Sequence, residues 1–237
     1  MSNENLSPEQ VLAVNGESFF WAKRFLGPKM GKDAARLYSF CRILDDMADG
    51  DIVNGPKRLE VIYSELGNGN FNSDPVLTNF KPLFDDYNLP ADVVLALIDG
   101  LLDDQRVPVL IDNEEDLLRY AYKVAGTVGL MMCNVLRCND YSAKRHAIDL
   151  GIAMQLTNIA RDVLEDAQMG RRYIPGNWIN NMTPSEIIDA SNDPNAKLNI
   201  KFDKREMVSF DKKTILGTRA QMDFNQKNSF IGATALY

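Results

Sequence analysis

Histidine, cysteine and long apolar runs are scarce in this chain of 237 residues. The one histidine, His146, follows Arg145 at a polar helix start and is interpreted as a solvated residue rather than a general base. Cys41, Cys133 and Cys138 form no Cys-x-x-Cys pattern, which argues against a zinc site or a disulfide framework and favours a reducing, cytoplasmic setting. The first ten residues are polar and do not form a signal peptide, and no apolar run reaches the length of a membrane span. Peripheral contact with a membrane stays open.

Nucleotide-binding signatures are also missing. No Gly-x-Gly-x-x-Gly follows a strand signal, and there is no Walker loop. The formal net charge of −7 argues against nucleic acid as the main partner. The composition, 45% apolar and 25% charged, is ordinary for a globular protein, and the length suffices for one large core. We therefore interpret residues 1–237 as a single domain.

The apolar pattern predicts an all-α domain of packed helices. Pro90 marks one helix start, Asn113 or Asp112 can cap another, and Gly50 marks a helix end. The predicted helices span residues 32–49, 56–66, 91–104, 114–137 and 141–166, and another begins near 183–186. Beyond residue 182 the chain is polar, at most weakly helical over 202–217, and it stops inside an apolar stretch. We expect this last part to be divergent or incomplete.

Two aspartate pairs at helical spacing stand out from this pattern. Asp45 and Asp49 are four residues apart, and so are Asp162 and Asp166. Each pair places two carboxylates on one face of an otherwise apolar helix, where like charges repel. Two such pairs facing one cavity require cations, and Mg²⁺ binds through one or two carboxylates together with substrate phosphates. The pattern predicts a diphosphate held by magnesium between two helices.

Polar donors extend both acidic stripes. Tyr38 and Arg42 continue the first stripe, and Gln155 and Asn158 continue the second, with Arg161 beside it. The planar fork of arginine suits phosphate, while the neutral amides offer oxygen ligands without added charge. The alternative is a solvated acidic face with local ion pairs. Two matching stripes in long apolar helices favour the metal and diphosphate hypothesis.

Other polar and aromatic clusters receive structural interpretations. The pairs Asp85-Asp86 and Asp103-Asp104 lack a stripe and are interpreted as surface residues. A run of aromatic residues near the start of the chain is predicted to be mostly core packing. Its members are Phe19, Phe20, Trp21 and Phe25.

Four segments together resemble the squalene and phytoene synthase family, the head-to-head prenyl transferases. They are Ser18-Phe19, the segment Tyr38 to Asp49, the segment Tyr120 to Gly129, and the segment Gln155 to Asp166 followed by Gly170-Arg171-Arg172-Tyr173-Ile174-Pro175. The segments occur in the family's order and spacing, and the resemblance covers roughly residues 15–180. It implies an isoprenoid-synthase helical bundle around a central cavity.

The resemblance also implies roles for individual residues. The implied Mg²⁺ ligands are Asp45, Asp49, Asn158, Asp162 and Asp166. The residues implied to contact diphosphate or substrate are Ser18, Phe19, Tyr38, Arg42, Gln155 and Arg161. Tyr122 is expected to line the reaction cavity, and Tyr173 to lie near its rim. Gly126 and Gly129 either allow close helix approach or a kink, or leave room for a prenyl tail.

The chain departs from the family pattern in several places. Gly16 stands where the family often has a serine, and Leu110 or Ile111 stands where it often has tyrosine or phenylalanine. A late tyrosine pair is replaced by Asp211-Lys212-Lys213, and a closing helix is only partly matched before Tyr237. The C-terminal wall of the cavity is therefore expected to be incomplete.

The resemblance implies Mg²⁺-dependent condensation of two prenyl diphosphates through a cyclopropylcarbinyl diphosphate. Within the family we favour the phytoene synthases of bacteria, which join two geranylgeranyl diphosphates in carotenoid biosynthesis without NADPH. One alternative is a squalene or dehydrosqualene synthase that uses farnesyl diphosphate. Another is a non-catalytic relative that acts as an assembly or interaction protein.

Overall fold

Helices dominate the computed structural model, which describes residues 3–138 and 140–192 in full and residues 198–202 and 206–210 by their backbone. The all-α prediction is confirmed. The α-helices are α1 (Pro8–Asn15), α2 (Glu17–Ala22), α3 (Pro28–Ala48), α4 (Gly55–Gly67), α5 (Pro75–Tyr87), α6 (Ala91–Asp103), α7 (Glu114–Ala121), α8 (Thr127–Val135), α9 (Tyr141–Arg161), α10 (Val163–Gln168) and α11 (Pro184–Asn192). Short 3₁₀ segments cover Asn3–Asn5, Lys23–Phe25 and Gly176–Trp178, and a π-helical turn covers Tyr122–Gly126.

Strands are few and short in the described part of the chain. β1 (Val109–Leu110) pairs in parallel with β2 (Arg171–Arg172). β3 (Leu198–Phe202) and β4 (Glu206–Phe210) pair antiparallel. The weak helix predicted for residues 202–217 is wrong over residues 206–210, because these residues form a strand. The predictions for residues 211–237 lie outside the described residues.

Contacts divide the chain into two compact units. Unit 1 comprises Met1–Gln105 and Lys123–Gly151, and unit 2 comprises Arg106–Tyr122 and Ile152–Tyr237. The core of unit 1 is formed by the apolar faces of α3 to α6 and α8, with the rings of Phe40 and Phe80 stacked at 3.7 Å. That the whole chain acts as one domain stays a prediction.

Helix α3 shows why these residues form helices. Gly27, at φ 74°, ends the preceding segment, and Pro28 occupies the first turn, where its missing N–H costs nothing. Leu37, Leu44 and neighbouring apolar residues recur at helical spacing and are fully buried. The opposite face carries the tyrosine, arginine and aspartates of the first acidic stripe, so the core fixes the orientation of that stripe.

Side-chain capping marks several helix starts. The Asn113 side chain accepts a hydrogen bond from the backbone N–H of Asp116 at 3.0 Å, which confirms the predicted start of α7. At α11, Thr183 and Glu186 form a reciprocal capping box, and the backbone N–H of Thr183 donates to Glu186 at 2.7 Å. Asp74 caps α5, a helix that the sequence patterns did not predict.

Two long predicted helices are interrupted. The helix predicted for residues 114–137 is divided into α7, the π-helical turn and α8. The helix predicted for residues 141–166 ends at Arg161, and Asp162 leaves helical geometry at φ −103° and ψ 18° before α10 begins. Neither break falls at a proline, and the apolar periodicity continues across both, so it did not predict them.

The aromatic residues near the start of the chain correct a second prediction. Trp21 is 54% exposed and Phe25 is 91% exposed, so neither is part of the core. Phe19 is 44% exposed and Phe20 is half-buried. Helix α2 is short, and Phe25 lies on the 3₁₀ segment that follows it. The apolar residues of α2 follow one another instead of recurring on one face. No described helix has both the length and the apolar character needed to cross a membrane.

Candidate functional site

The first acidic stripe lies on α3, where two carboxylates that are neighbours in sequence have different surroundings. Arg42 bridges them, with Nη1 at 3.2 Å from Asp45 Oδ2 and Nη2 at 2.8 Å from Asp46 Oδ1. Asp46 is buried and accepts a hydrogen bond from the Asn3 side chain at 2.7 Å. The Asp45 side chain is 43% exposed, and Asp49 is exposed. Asp46 therefore holds Arg42 in place, while Asp45 and Asp49 can receive a ligand.

Asp45 carries the strongest electrostatic signal of this stripe. Burial among the helices, with the neighbouring charge of Asp49 next in importance, raises the pKa of Asp45 from 3.8 to about 6. Arg42 opposes this rise, and Asp46 and Asp104 add to it. A carboxylate in this setting has more negative charge around it than one arginine compensates. The donor set therefore fits a hard divalent cation.

Phe19 and Tyr38 come together in unit 1, and Ser18 precedes Phe19 on α2. The rings of Phe19 and Tyr38 lie 6.1 Å apart, and burial is the main cause of a raised pKa at Tyr38. Gly16 is buried against the same tyrosine, because a Cβ at this position would lie 2.9 Å from Tyr38 Cζ and Oη. A side chain at position 16 would displace Tyr38, so this contact favours glycine there.

Unit 1 contains a further group of acidic residues, which the sequence analysis did not identify as a group. Lys123 Nζ lies 2.6 Å from Asp99 Oδ2 and 2.8 Å from Asp103 Oδ2. Asp104, beside them, is buried and acts electrostatically on Asp45. The interpretation of Asp104 as a surface residue is therefore wrong, whereas Asp103 is half-buried. Asp99 and Asp103 have the same i, i+4 spacing as the two recognised pairs, and this spacing was the available signal.

Close backbone contacts hold the π-helical turn against α6 and α9 in unit 1. A Cβ at Gly151 would lie 2.7 Å from the carbonyl carbon of Ala125, and one at Gly129 would lie 2.8 Å from that of Ala147. A Cβ at Gly100 would likewise lie 2.7 Å from the Cβ of Lys123. Close helix approach is thus confirmed for Gly129. Single-turn π-helices are frequent at functional sites.

The second acidic stripe lies in unit 2, at the end of α9 and in α10. Arg161 forms a two-pronged ion pair with Asp162, Nε to Oδ1 and Nη2 to Oδ2, both at 2.6 Å. Asn158 is exposed and Gln155 is half-buried. Although the helix breaks at Asp162, the backbone N–H of Asp166 still donates to Asp162 at 2.8 Å. The stripe therefore keeps its i, i+4 spacing across the break.

A small pocket in unit 2 lies beside this stripe. It is lined by Ile159, Val163, Asp166, Arg171, Arg172, Tyr173, Ile174 and Ile187. The buried Arg172 donates to the carbonyls of Ile111 at 2.9 Å and Met182 at 3.2 Å, and burial lowers its pKa. Tyr173 is buried and stacks on Tyr120, with ring centroids 4.7 Å apart. The sequence analysis gave Arg172 and Tyr120 no individual role. Arg172 lines the pocket, and Tyr120 supports it through the stacked ring of Tyr173.

The remaining predicted residue, Tyr122, is the first residue of the π-helical turn and is half-buried. Within the described part of the chain, no three histidine, cysteine, aspartate or glutamate side chains cluster closely enough to hold a metal ion. The assignment of individual ligands and substrate contacts to the two stripes stays a prediction.

Comparisons with known proteins give one consistent result. The family model described as squalene/phytoene synthase matches residues 12–201. The chain is 33% identical to a 15-cis-phytoene synthase from Paracoccus sp. over 192 residues, which covers 76% of this chain and 62% of that protein. It is 34% identical to a phytoene synthase from Thermus thermophilus over 169 residues, covering 70% of this chain and 57% of that one. The chain thus spans less than two thirds of the length of these relatives.

Solved structures show the same relationship. A dehydrosqualene synthase in complex with ligand has a TM-score of 0.63 and 31% identity, covering 73% of this chain and 61% of its own. The squalene synthase HpnC from Alicyclobacillus acidocaldarius has a TM-score of 0.61 at 24% identity, covering 77% of this chain and 72% of its own. The second likeness shows the fold alone. The helical architecture is therefore the one found in these isoprenoid synthases.

Proposed function

Because this chain belongs to the squalene/phytoene synthase family, we propose that it condenses two prenyl diphosphates head to head. The proposed substrates are two geranylgeranyl diphosphates, and the product is phytoene, formed through a cyclopropylcarbinyl diphosphate. The observation that carries the proposal is the pair formed by Asp45, which is partly buried on α3, and Asp49, which is exposed at the end of that helix. Partial burial, followed by the charge of Asp49, raises the pKa of Asp45 to about 6. Such a pair favours a bound cation and a polyanionic substrate.

The proposed metal is Mg²⁺. The residues proposed to bind it are Asp45 and Asp49 of the first stripe, and Asn158, Asp162 and Asp166 of the second. When bound, the ion would neutralise charge on the departing diphosphate. Carboxylate and amide oxygens are the ligands that this ion prefers, and it leaves coordination positions for phosphate oxygens.

Each acidic stripe already carries an arginine that can take part in diphosphate binding. Arg42 bridges Asp45 and Asp46, and Arg161 forms two 2.6 Å contacts with Asp162. These ion pairs hold the guanidinium groups beside the proposed ligands before substrate arrives. Phosphate oxygens would then meet donors that are already oriented, which lowers the entropic cost of binding.

The other proposed substrate contacts are arranged by unit. In unit 1 they are Ser18, Phe19 and Tyr38, and in unit 2 they are Tyr122, Gln155 and Tyr173. Their aromatic rings would shield the prenyl cations from water, which is the main task of the protein in such a reaction. NADPH is not part of the proposal. We include peripheral contact of a cytoplasmic protein with a membrane, since prenyl substrates and hydrocarbon products are lipophilic.

A second candidate is the condensation of two farnesyl diphosphates to dehydrosqualene or squalene. The likeness to the solved dehydrosqualene synthase, at 31% identity, supports it. The two candidates share the same ionisation chemistry and the same acidic stripes. They differ in tail length and, for squalene, in a final reduction.

An assay with labelled geranylgeranyl and farnesyl diphosphate tests both candidates. The protein is incubated with each substrate and Mg²⁺, with and without NADPH, and the products are identified by mass spectrometry. We expect phytoene from geranylgeranyl diphosphate without NADPH and no product in EDTA. Squalene formed from farnesyl diphosphate only with NADPH would contradict the phytoene proposal.

Matched substitutions test the two stripes. Asp45→Asn and Asp162→Asn should each lower turnover roughly a hundredfold or more, because charge stabilisation by a metal is worth several kcal/mol. Asp51→Asn and Asp189→Asn are the controls, since both aspartates are exposed and lie outside the stripes. Full activity in either stripe variant would refute the role in metal binding that is proposed for that stripe.

A further inference from the structure

We propose that this protein docks on anionic lipid bilayers through an aromatic-basic surface of unit 1. This surface consists of Trp21, Lys23, Arg24, Phe25 and Lys29. It lies on α2, on the 3₁₀ segment that follows, and at the start of α3. None of these residues belongs to the proposed metal or substrate site.

Exposed aromatic rings are the first observation behind this surface. Phe25 is 91% exposed and Trp21 is 54% exposed, four residues apart on consecutive helical turns. Large aromatic side chains contribute more apolar area than any other residue, so exposing two together is costly in water. At a bilayer surface the cost is removed, because tryptophan and other aromatic rings settle at the level of the lipid headgroups.

Local charge is the second observation. From Glu17 to Lys32 the sequence contains four cations and one carboxylate, a net charge of +3 within a chain whose net charge is −7. Arg24, Lys29 and Lys32 are exposed. A protein with this overall charge is repelled by an anionic membrane, so only a locally basic surface can approach one. The charge distribution therefore favours an anionic membrane as the partner, with the basic surface facing it.

The cations also hold the rings in place. The Arg24 guanidinium carbon lies 4.3 Å from the Trp21 ring centroid, and Lys23 Nζ lies 4.9 Å from that of Phe20. Cation–π pairs of this kind bring positive charge and apolar area to the same point. An anionic headgroup can accept hydrogen bonds from the arginine and lysine side chains while the aromatic rings enter the boundary between headgroups and acyl chains. A protein partner would require matching pockets, whereas a lipid surface requires only this combination.

The lipid interpretation rests in part on the proposed function, because prenyl diphosphates partition into membranes through their tails. The docking itself is measured without substrate. The experiment uses vesicles of phosphatidylcholine alone and vesicles with 30% phosphatidylglycerol, with the full chain. Co-sedimentation should show binding to the anionic vesicles, weak binding to the neutral ones, and release at high salt, where charges are screened.

Trp21 itself can report the contact. The chain has two tryptophans, Trp21 and Trp178, so Trp178→Phe leaves Trp21 as the single fluorophore. Its emission should shift to shorter wavelength when anionic vesicles are added, and brominated lipids should quench it. A shift that appears with rising protein concentration and no vesicles would mean a second copy covers the surface and would overturn the proposal. A blue-shifted spectrum that vesicles leave unchanged would mean another part of the chain covers it, with the same consequence.

Paired variants separate the surface from general effects. Trp21→Ser with Phe25→Ser, and separately Arg24→Glu with Lys29→Glu, should each weaken vesicle binding roughly tenfold or more. The apolar control is Tyr141→Ser, since Tyr141 is 76% exposed elsewhere in unit 1. The charge control is Lys57→Glu with Arg145→Glu, two exposed cations outside the surface. Circular dichroism melts confirm that all variants fold. Equal losses in test and control variants would overturn the proposal.

Activity assays keep the docking apart from the proposed condensation. With substrate dispersed in detergent, the surface variants should turn over as the parent does. With substrate embedded in anionic vesicles, they should be slower roughly in proportion to their loss of binding. A chain that binds vesicles but condenses no prenyl diphosphate would refute the proposed function and leave the docking intact. A chain that is active in detergent but binds no vesicles would refute the docking and leave the proposed function intact.

Discussion

Asp45 and Asp46 are neighbours in sequence, yet they have opposite surroundings. Asp46 is buried between Arg42 and Asn3, whereas Asp45 is 43% exposed and close to Asp49. The helix turns them about 100° apart, so one carboxylate faces the protein and the other faces a ligand. The consequences for stability should have opposite signs.

Asp45→Asn should stabilise the protein at pH 7.5. Burial, followed by the charge of Asp49, raises the folded-state pKa of Asp45 from 3.8 to about 6. The folded state therefore holds a proton that the unfolded state releases between about pH 4 and 6. This favourable contribution is complete below pH 3.8 and is lost as the pH rises through 6. Urea unfolding across this range should show a gain for Asp45→Asn at pH 7.5 that disappears at pH 4.

Asp46→Asn provides the contrast. Removing this carboxylate leaves Arg42 and Asn3 without their buried partner, so we expect a loss of about 1–3 kcal/mol in the free energy of unfolding at pH 7.5. Asp51→Asn, at an exposed position, should change little. If Asp45→Asn and Asp46→Asn change stability in the same direction, the division of roles on α3 is wrong.

Residue-scale patterns predicted the acidic stripes but missed their environment. The i, i+4 spacing of Asp45 and Asp49 can be read from the chain, because a helix fixes it locally. The burial of Asp104 and the ion pairs of Lys123 with Asp99 and Asp103 depend on contacts distant in sequence. Such contacts leave no local periodicity, and for that reason Asp104 was mistaken for a surface residue.

At the scale of elements, the sequence predicted where helices begin better than where they continue. Starts depend on local chemistry, such as the Asn113 cap and the capping box of Thr183 and Glu186. The π-helical turn at Tyr122–Gly126 and the break at Asp162 depend instead on packing and polar contacts. Apolar periodicity is almost unchanged by either feature, so neither could be predicted from it.

Gly151→Ala tests the packing of the π-helical turn. The new Cβ would lie 2.7 Å from the carbonyl carbon of Ala125 and 3.0 Å from the nitrogen of Gly126, so the helices must separate. We expect a loss of about 1–3 kcal/mol in the free energy of unfolding. Gly67→Ala is the matched control: a Cβ there meets nothing within 4 Å, and alanine should be neutral or stabilise by up to about 1 kcal/mol. Equal effects of the two substitutions in denaturant unfolding would contradict the close contact.

At the scale of the whole molecule, helical class and family could be predicted from four short motifs, and both are confirmed. Spacing along the chain does not fix the distance between the two acidic stripes, because that distance depends on how distant segments pack. Their joint action on one diphosphate stays a prediction. It requires a measurement on the whole chain.

Ligand-dependent melting supplies that measurement. Mg²⁺ alone should raise the melting temperature little, because the ion keeps its waters until phosphate oxygens are present. With a non-hydrolysable prenyl thiodiphosphate at about a hundred times its Kd, the added stability is about 2.7 kcal/mol. For a chain of this length that corresponds to a rise of roughly 5–10 °C. An equal rise with the analogue in EDTA would rule out metal bridging.

The hydrogen bond from Asn3 to Asp46 has a practical consequence for protein engineering. It joins positions 43 residues apart and connects the beginning of the described chain to the helix that bears the acidic stripe. In a saturation mutagenesis screen scored by product yield, Asn3 should therefore score with the acidic motif rather than with its exposed neighbours. An affinity tag fused directly ahead of this residue would press on the same helix, so kinetic constants should be compared between tagged and cleaved preparations.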